Sequence, residues 1–569
     1  MYFKNDICYY THCSPVIIKL RKQGNKRLIF LVFSFFLVVN IASSGGHFDA
    51  WDGVETFLVT ESMVLKHSAK LYPDVPSIQK LYFDINTSVA NNKAFQNKKS
   101  DNRLEPMYTV RSLLLSAIAV PFYYAALLLS ASPIPVVAIL VNSLIISLTC
   151  VVVFCFSLDV YNSRKISFVL SLIFGVCSFI WPYITSLFPQ PVQTLCIFTS
   201  AYFIYISTRQ YKTGNIVISN NNTIITNNTD KNKKAYFAAG LSALFLGLSV
   251  IAHPTSALVI PGFIVYSFFT SRGNRKTFVS FLIVLAIMAM FISLINYWRF
   301  GSLWNFGYGS TQSLSIHSIH NGWDGLAGLI GSTGTGLIFF FPIAILFPLA
   351  LTYVYRRNKW LFFISAYVFF VFWFFFGTIS TPIQGTPKPF GWSGGGWGPR
   401  YLAPTLPFIT LSIGALLTLF KQRVRVIKVL KVSTIILCAA GFVVNLLGVL
   451  VWYHYGYVYG WIVEQLGKLD MTVTDLNSME VMTWNPIYSP IILHAKALMS
   501  GFVTQIRPGH DWTSYGLAPC PYDLFLLCKF APTSVLILLA VIAILGLIIV
   551  NQIKHENDSG RLTSIKKFS

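Results

Sequence analysis

Charged residues are scarce in this sequence. Only 11% of its 569 residues are Asp, Glu, Lys or Arg, whereas 54% are hydrophobic and 16% are aromatic. A soluble domain of this length does not bury so much apolar surface, so the composition excludes an ordinary soluble protein. Because helices satisfy their own backbone hydrogen bonds in lipid, we predict an all-α polytopic membrane protein.

Signatures of nucleotide and nucleic-acid binding are also lacking. The glycine-rich stretch "SGGGWG" has no strand before it, so it is neither a dinucleotide fingerprint nor a phosphate-binding loop. The net charge of +23 is spread over short loops, without an aromatic-interleaved basic patch or zinc-ligand spacing. We therefore expect no nucleic-acid partner.

Disulfide chemistry has little support in the sequence. Of the nine cysteines, most fall inside apolar runs or near the N-terminus, where small apolar packing is the simpler interpretation. Only Cys520 and Cys528 lie where an outer disulfide could form, and the sequence alone does not decide whether it does.

Apolar runs, in contrast, are abundant. About 20 apolar residues are needed to cross roughly 30 Å of hydrocarbon. Twelve apolar runs, 15 to 25 residues long, are predicted to span with boundaries uncertain by a few residues: Leu28–Ala42, Ile134–Leu158, Ile166–Tyr183, Val192–Ser207, Ala235–Ala252, Ser256–Thr270, Phe278–Tyr297, Leu337–Tyr353, Leu361–Phe376, Leu402–Phe420, Ser433–Tyr453 and Thr533–Val550.

Basic loops predict the orientation, since Lys and Arg next to a span are retained on the cytoplasmic side. "KLRKQGNKR" precedes the first span, and "SRGNRK", "YRRNK" and "KQRVRVIKVLK" follow at positions that keep them on the same side. We expect cytoplasmic tails at 1–27 and 554–569, a transmembrane domain at 28–553, and long outer loops at 43–133 and 454–532.

One apolar segment, Leu113–Ser130, does not fit this alternation. If it crossed the membrane, every later basic loop would move outside. We expect it to lie on or dip into the outer leaflet, or to pack against the bundle, with Pro121 breaking its helix.

Acidic residues gather where the first outer loop begins, in "SSGGHFDAWDGVETF". Asp49, Asp52 and Glu55 are spaced three apart, so neighbours share one face if the segment is helical. One carboxylate could then act as a base and another could tune its pKa. A solvated acidic loop after an outward-facing span has the same spacing, and the spacing does not separate the two.

Several segments taken in order resemble a known family. "DGVETFLVTESMVLKHSAKLYP" follows the first span and is succeeded by "YTVRSLLLSAIAVPFYYAALLL", "GLSALFLGLSVIAHPTSALVIPGFIVY", "NYWRFGSLWNFGYG", "GWSGGGWGPRYLAPTLPF" and "WNPIYSPI". This series is similar to the GT-C superfamily of membrane glycosyltransferases, in particular relatives of protein O-mannosyltransferases and lipid A aminoarabinose transferases. The resemblance implies a bundle of about twelve transmembrane helices whose outer loops contain interfacial helices.

The resemblance also implies a reaction. The donor would be a polyprenyl-phosphate sugar in the membrane lipid, and the acceptor a hydroxyl group of a protein, lipid or surface glycan on the extracytoplasmic face. The family's catalytic Asp aligns with Asp52, which would remove the acceptor's proton, and Asp49 is the alternative base. Glu55 and Glu61 in the same segment are expected to contact substrate.

Cations and tryptophans are the remaining site candidates. His253, Arg299, Lys388 and Arg400 are expected to contact the phosphate, which gains charge as the glycosidic bond loosens. For the arginines the alternative is interfacial snorkelling, and for His253 it is a turn that caps two short helices. Trp392 and Trp397 flank glycines that could let a sugar-facing loop close, or they are ordinary membrane-belt residues.

Two departures from the family bear on metals. The chain has Gln190 where relatives often carry an acid, and His253 where they often carry Arg or Lys. A divalent cation, Mg or Mn, is left open. The competing function is a secondary transporter or lipid-linked sugar flippase, which would line its pathway with buried charges; the predicted spans contain almost none.

Overall fold

The chain folds as a bundle of helices. The computed structural model describes residues 15–48, 51–72, 74–77, 106–214, 217–219, 222–224, 229–271, 274–307, 322–378, 396–451, 483–499, 524 and 532–565. Its α-helices are α1 (Pro15–Ala42), α2 (Trp51–Leu65), α3 (Leu113–Leu128), α4 (Pro133–Tyr161), α5 (Arg164–Cys177), α6 (Gln190–Gly214), α7 (Thr229–Ala252), α8 (Ile260–Thr270), α9 (Arg275–Phe300), α10 (Gly322–Gly331), α11 (Leu337–Phe340), α12 (Phe347–Arg357), α13 (Lys359–Gly377), α14 (Leu406–Leu417), α15 (Arg425–Leu450), α16 (Pro490–Met499) and α17 (Pro532–Ile565).

Short 3-10 helices and one strand pair complete the described elements. The 3-10 helices are Pro182–Ile184, Pro254–Val259, Pro342–Leu346, Arg400–Thr405, Thr418–Lys421 and Pro486–Tyr488. Strands β1 (Val217–Ser219) and β2 (Asn222–Ile224) pair antiparallel, with Val217 opposite Ile224.

Eight described segments are long and apolar enough to cross a membrane: Asn25–Ala42, Pro133–Tyr161, Asn232–Ala252, Arg275–Phe300, Lys359–Gly377, Arg400–Lys421, Arg425–Leu450 and Leu536–Lys554. Each coincides with one of the twelve predicted runs. The prediction of an all-α polytopic membrane protein is confirmed, while the count of twelve spans stays a prediction.

The other four predicted runs are helical but shorter, interrupted or less apolar. The run at 166–183 ends its α-helix at Cys177, and the run at 337–353 is divided into α11, the 3-10 helix Pro342–Leu346 and α12. Proline explains that interruption, because Pro342 has no N–H to donate and its ring clashes with the preceding turn.

Helix α3 corrects one expectation. It runs from Leu113 to Leu128 without a break, although Pro121 lies inside it. Proline removes one backbone hydrogen bond, but the buried side chains of α3 pack against α2, α4 and α7, and this packing retains the helix. Of the locations expected for this segment, the structure shows packing against the bundle.

Two hydrophobic clusters hold the bundle together. The larger combines side chains from α1, α4–α15 and α17, and the smaller joins α2 and α3 to the first half of α4. In the smaller cluster the rings of Phe57 and Tyr123 lie 5.8 Å apart. The start of α2 is thereby fixed to the bundle, and this position matters for the site.

Candidate active site

The site begins at the first turn of α2, which carries Asp52. Thr56 Oγ1 donates a hydrogen bond to the Asp52 carbonyl, 2.8 Å away. The next residue, Gly53, lies so close to the segment after the 3-10 helix Pro182–Ile184 that a Cβ atom would be 2.2 Å from the Ser186 carbonyl oxygen. Only glycine permits this approach, which restricts the position of the main chain that carries Asp52.

Two arginines from distant parts of the chain hold that carboxylate. Arg111 Nη2 lies 2.8 Å from Asp52 Oδ1, and Arg400 Nη1 lies 3.0 Å from Oδ2. The Asp52 side chain is 22% exposed and Arg111 25%, whereas Arg400 is only 8% exposed. The carboxylate is therefore anchored on its buried side and open toward solvent.

Glu55 extends this cluster by one helical turn. Its Oε2 forms an ion pair with Arg111 Nε, so Arg111 bridges the two acids that share a face of α2. The spacing predicted that Asp52 and Glu55 share a face of the helix. It did not predict that Arg111 pairs with both of them.

Arg299, at the C-terminal end of α9, lies behind Arg111. Its Nη2 donates to the main-chain carbonyls of Thr109 and Arg111, the latter at 3.2 Å. Beside this contact, the ring of Tyr108, which precedes Thr109 in the chain, packs against the ring of Trp298, with 5.3 Å between the ring centroids. The structure thus places Arg299 against the main chain that carries Arg111, and its expected contact with phosphate stays a prediction.

Aromatic rings surround Arg400. Its guanidinium carbon lies 4.3 Å from the ring centroid of Phe188 and 5.2 Å from that of Tyr401, and Tyr401 in turn stacks on Phe376 at 4.2 Å. A guanidinium gains attraction from such ring faces while it loses water. Arg400 is consequently a buried cation rather than a snorkelling surface arginine.

The electrostatics of the cluster keep Asp52 ionised. Burial by itself would raise the pKa of Asp52, but the charges of Arg400 and Arg111 and the hydrogen bond from Arg400 lower it below its usual value. Nearby opposite charges within hydrogen-bond distance favour the carboxylate form in this way.

His253 lies at the turn between α7 and the 3-10 helix Pro254–Val259. Its Nδ1 is 2.7 Å from Thr255 Oγ1, and its ring centroid is 6.3 Å from that of Tyr401. Desolvation lowers the pKa of His253 to about 4, with the charge of Arg400 acting in the same direction and Asp52 opposing. A pKa this low favours an uncharged ring at neutral pH, and the expected contact of His253 with phosphate stays a prediction.

Glu61 and Trp397 are buried and form none of the ion pairs of the cluster. Glu61 is 3% exposed and accepts hydrogen bonds from Ser77 and from the Tyr123 hydroxyl, and burial raises its pKa. Trp397 is 1% exposed, with its ring 5.2 Å from Phe340. The expected contacts of Glu61 and Trp397 with substrate stay predictions.

Three other candidates, Asp49, Lys388 and Trp392, lie outside the described residues, as do Cys520 and Cys528. Asp49 therefore stays an alternative base.

Arg111 is the residue that sequence reasoning missed. It lies within "YTVRSLLL", and the signal that could have identified it is its position as a lone cation directly before the apolar helix α3. The positive-inside rule interprets such a residue only as a determinant of membrane orientation, and it does not predict an acidic partner.

A resident divalent cation does not fit the described part of the site. Among those residues no group of three or more His, Cys, Asp or Glu side chains comes together. The oxygens of Asp52 face Arg111 and Arg400, whose charges would repel Mg²⁺ or Mn²⁺.

Comparison with known proteins gives a distant structural likeness. No protein-family model and no curated protein matches the chain. Among solved structures, the chain is similar to ArnT from Cupriavidus metallidurans bound to undecaprenyl phosphate, with 11% identity, a TM-score of 0.44, and coverage of 85% of this chain and 81% of that one. The apo state of the same protein gives 10% identity, a TM-score of 0.41, and coverage of 86% and 80%. Residue roles cannot be transferred at this distance, so they are inferred from the geometry of the site.

Proposed function

We propose that the chain is an inverting glycosyltransferase of the GT-C type, which moves a single sugar from a polyprenyl phosphate to a hydroxyl-bearing acceptor. The observation that carries the proposal is the Asp52 carboxylate, ionised and held between Arg111 and Arg400 at the first turn of α2. The motifs that resemble the family supply these same three residues.

Asp52 is suited to receive the acceptor's proton. A carboxylate offers about four lone-pair positions on two oxygens, and the described contacts use one position on each. An acceptor hydroxyl can therefore hydrogen bond to the open side. Because its pKa is low, Asp52 is a weak base, and proton transfer would occur late, after the new bond has made the hydroxyl acidic.

The bonds in this step balance without a cofactor. The acceptor oxygen forms a bond to the anomeric carbon while the bond from that carbon to the phosphate oxygen breaks, which inverts the configuration. The proton passes to Asp52 and then to solvent, and polyprenyl phosphate leaves with the electron pair.

The arginines are suited to the leaving phosphate. Asp52 and Glu55 face Arg111 and Arg400, and Arg299 contacts the main chain of Arg111, so among the described residues this cluster has three cations and two anions. Arginine forks match phosphate oxygens in two-point contact, and charge that develops on phosphate is stabilised most in a site with little water.

The proposed location is the extracytoplasmic face. Asp52 follows α1 directly, and the basic N-terminal tail argues that α1 crosses from inside to outside. A lipid-linked donor would reach the site from the membrane, which accounts for a transferase without a nucleotide-binding fold.

The test is reconstitution of the purified protein in vesicles with a panel of polyprenyl-phosphate sugars. We expect one donor to release polyprenyl phosphate together with sugar transfer to a hydroxyl acceptor. Solute transport across the vesicle membrane without any release would contradict the proposal and favour a transporter.

A further inference from the structure

A chain of hydrogen bonds behind His253 fixes the state of its ring. Ser256 Oγ donates to the Ser249 carbonyl at 2.8 Å, Gln193 Nε2 donates to Ser256 Oγ at 2.9 Å and to Thr255 Oγ1 at 3.2 Å, and Thr255 Oγ1 lies 2.7 Å from His253 Nδ1. No sequence pattern indicates a functional role for Gln193 or Thr255.

The orientation of the Gln193 amide follows from the serine. A hydroxyl carries one hydrogen, and Ser256 uses its own on the Ser249 carbonyl. Ser256 must therefore accept from Gln193, which requires the NH₂ end of the amide and not its oxygen. Both Gln193 and Ser256 are buried, so water does not compete for these bonds.

The threonine then determines the tautomer of the histidine. Thr255 Oγ1 accepts from the same NH₂ group and keeps one hydrogen to donate. Among the described residues its acceptor is His253 Nδ1, since no other acceptor for this hydroxyl is found there. Nδ1 is thus without a proton, and a neutral ring in this state carries its hydrogen on Nε2.

We infer that Gln193 and Thr255 hold His253 as the neutral Nε2–H tautomer, and that this N–H donates to a phosphate oxygen of the lipid-linked donor. The inference rests on the proposed function. Gln193 and Thr255 are positioning residues, because they act through His253.

The surroundings of the ring favour phosphate as its partner. His253 and Arg400 approach the same Tyr401 ring, with the His253 centroid at 6.3 Å and the Arg400 guanidinium carbon at 5.2 Å from its centroid. An anionic oxygen bound beside Arg400 would therefore lie near His253, on which the Arg400 charge also acts. No described group is hydrogen bonded to Nε2. In addition, a neutral His253 ring does not compete with Arg111 and Arg400 for the Asp52 carboxylate.

Binding of polyprenyl phosphate, with uncharged polyprenol of equal length as the comparison, tests the contact. We expect His253→Ala to weaken polyprenyl phosphate binding about 10- to 100-fold, the cost of a lost hydrogen bond to a charged oxygen, and to leave polyprenol binding unchanged. An equal loss for both lipids, or no loss for either, would overturn the phosphate contact.

Two milder variants test the positioning role. Thr255→Val and Gln193→Met release the constraint on the tautomer, so only a fraction of molecules would present Nε2–H, and we expect binding about two- to tenfold weaker. Thr255→Ser restores the hydroxyl and should bind as the wild type does. Gln422→Met, a matched change at an exposed position, is the control.

Nitrogen NMR of ¹⁵N-histidine-labelled protein reads the tautomer directly. The His253 signals, identified by their loss in His253→Gln, should show a protonated Nε2 and an unprotonated Nδ1, and Thr255→Val should add the other tautomer. A protonated Nδ1 in the wild type would overturn the inference while leaving the proposed transferase intact. Absence of any polyprenyl phosphate binding by the wild type would contradict the proposed function itself.

Discussion

Asp52 and Arg400 are 348 residues apart in the chain, yet their side chains form an ion pair at 3.0 Å. The partner on the other carboxylate oxygen, Arg111, comes from a third segment. A carboxylate in a plain solvated loop would not be expected to pair with two arginines from distant segments. This geometry therefore argues against a plain acidic loop at Asp52.

Asp52→Asn should reduce turnover by about 100- to 10,000-fold, the usual cost of losing a general base. The amide keeps the size of the side chain but loses the basic oxygen. Sugar transfer and polyprenyl phosphate release should be measured together, with Asp324→Asn on an exposed helical turn as the matched control. Because Arg400 loses its charged partner, the melting temperature should also fall. Near-normal transfer by Asp52→Asn, with loss in Asp49→Asn, would move the base to Asp49.

The pH dependence of kcat/KM should show how the arginines lower the pKa of Asp52. The folded pKa of Asp52 is depressed, so the stability it contributes is present above the unfolded value of about 3.9 and is lost as the pH falls through the folded pKa. The acid limb of kcat/KM should therefore lie below about pH 4. Arg111→Ala removes one lowering charge and should shift this limb to higher pH, whereas Arg111→Lys should shift it less. An unmoved limb in Arg111→Ala would show that another group controls the profile.

Arg299→Ala should reduce kcat about tenfold by loosening the main chain that carries Arg111, since two hydrogen bonds from a charged group are lost. In an Arg111→Ala background the same substitution should add little, because the effect passes through Arg111. Full additivity would instead support direct contact of Arg299 with the donor. Arg209→Ala, which breaks the ion pair with Asp159 at the other end of the bundle, serves as the control.

Gly53→Ala should impair transfer although it adds only one methyl group. Its Cβ would lie 2.2 Å from the Ser186 carbonyl oxygen, so the first turn of α2 must move and take Asp52 with it. Overpacking of this kind costs about 1 to 3 kcal/mol in stability. Gly331→Ala, where no atom lies within 4 Å of the added Cβ, should leave transfer unchanged. Equal activity of the two variants would mean that α2 is not fixed at this contact.

Topology can be tested by single cysteines in a cysteine-free background. A membrane-impermeant thiol reagent should label position 66 in intact cells, and should label positions 357 and 425 only after the membrane is opened. All three side chains are exposed, so access is decided by the membrane alone. Labelling of 357 or 425 in intact cells would reverse the proposed orientation.

The sequence predicted the helical membrane class because apolar run length is a local property. A family motif singled out Asp52, whose catalytic role stays a prediction. The sequence did not predict Arg111 as a partner, since the pairing of Arg111 with Asp52 and Glu55 depends on how α2, α3 and α9 pack. The interruption at Pro342 was visible in the sequence, but hydropathy averages over a run and does not register one proline. The neutral state of His253 depends on burial and on Arg400, which no sequence pattern expresses.

The separation of Asp52 and Arg400 also orders events during synthesis. Ribosomes add about 5–20 residues per second, so Arg400 is made roughly 17–70 s after Asp52. During that interval α1 and α2 can already be at the membrane, while Arg400, the most buried of the arginines proposed to bind the donor phosphate, has not yet been made. A chain that ends before Arg400 thus lacks one of the two cations that hold the Asp52 carboxylate, and under the proposed function it would have an incomplete site.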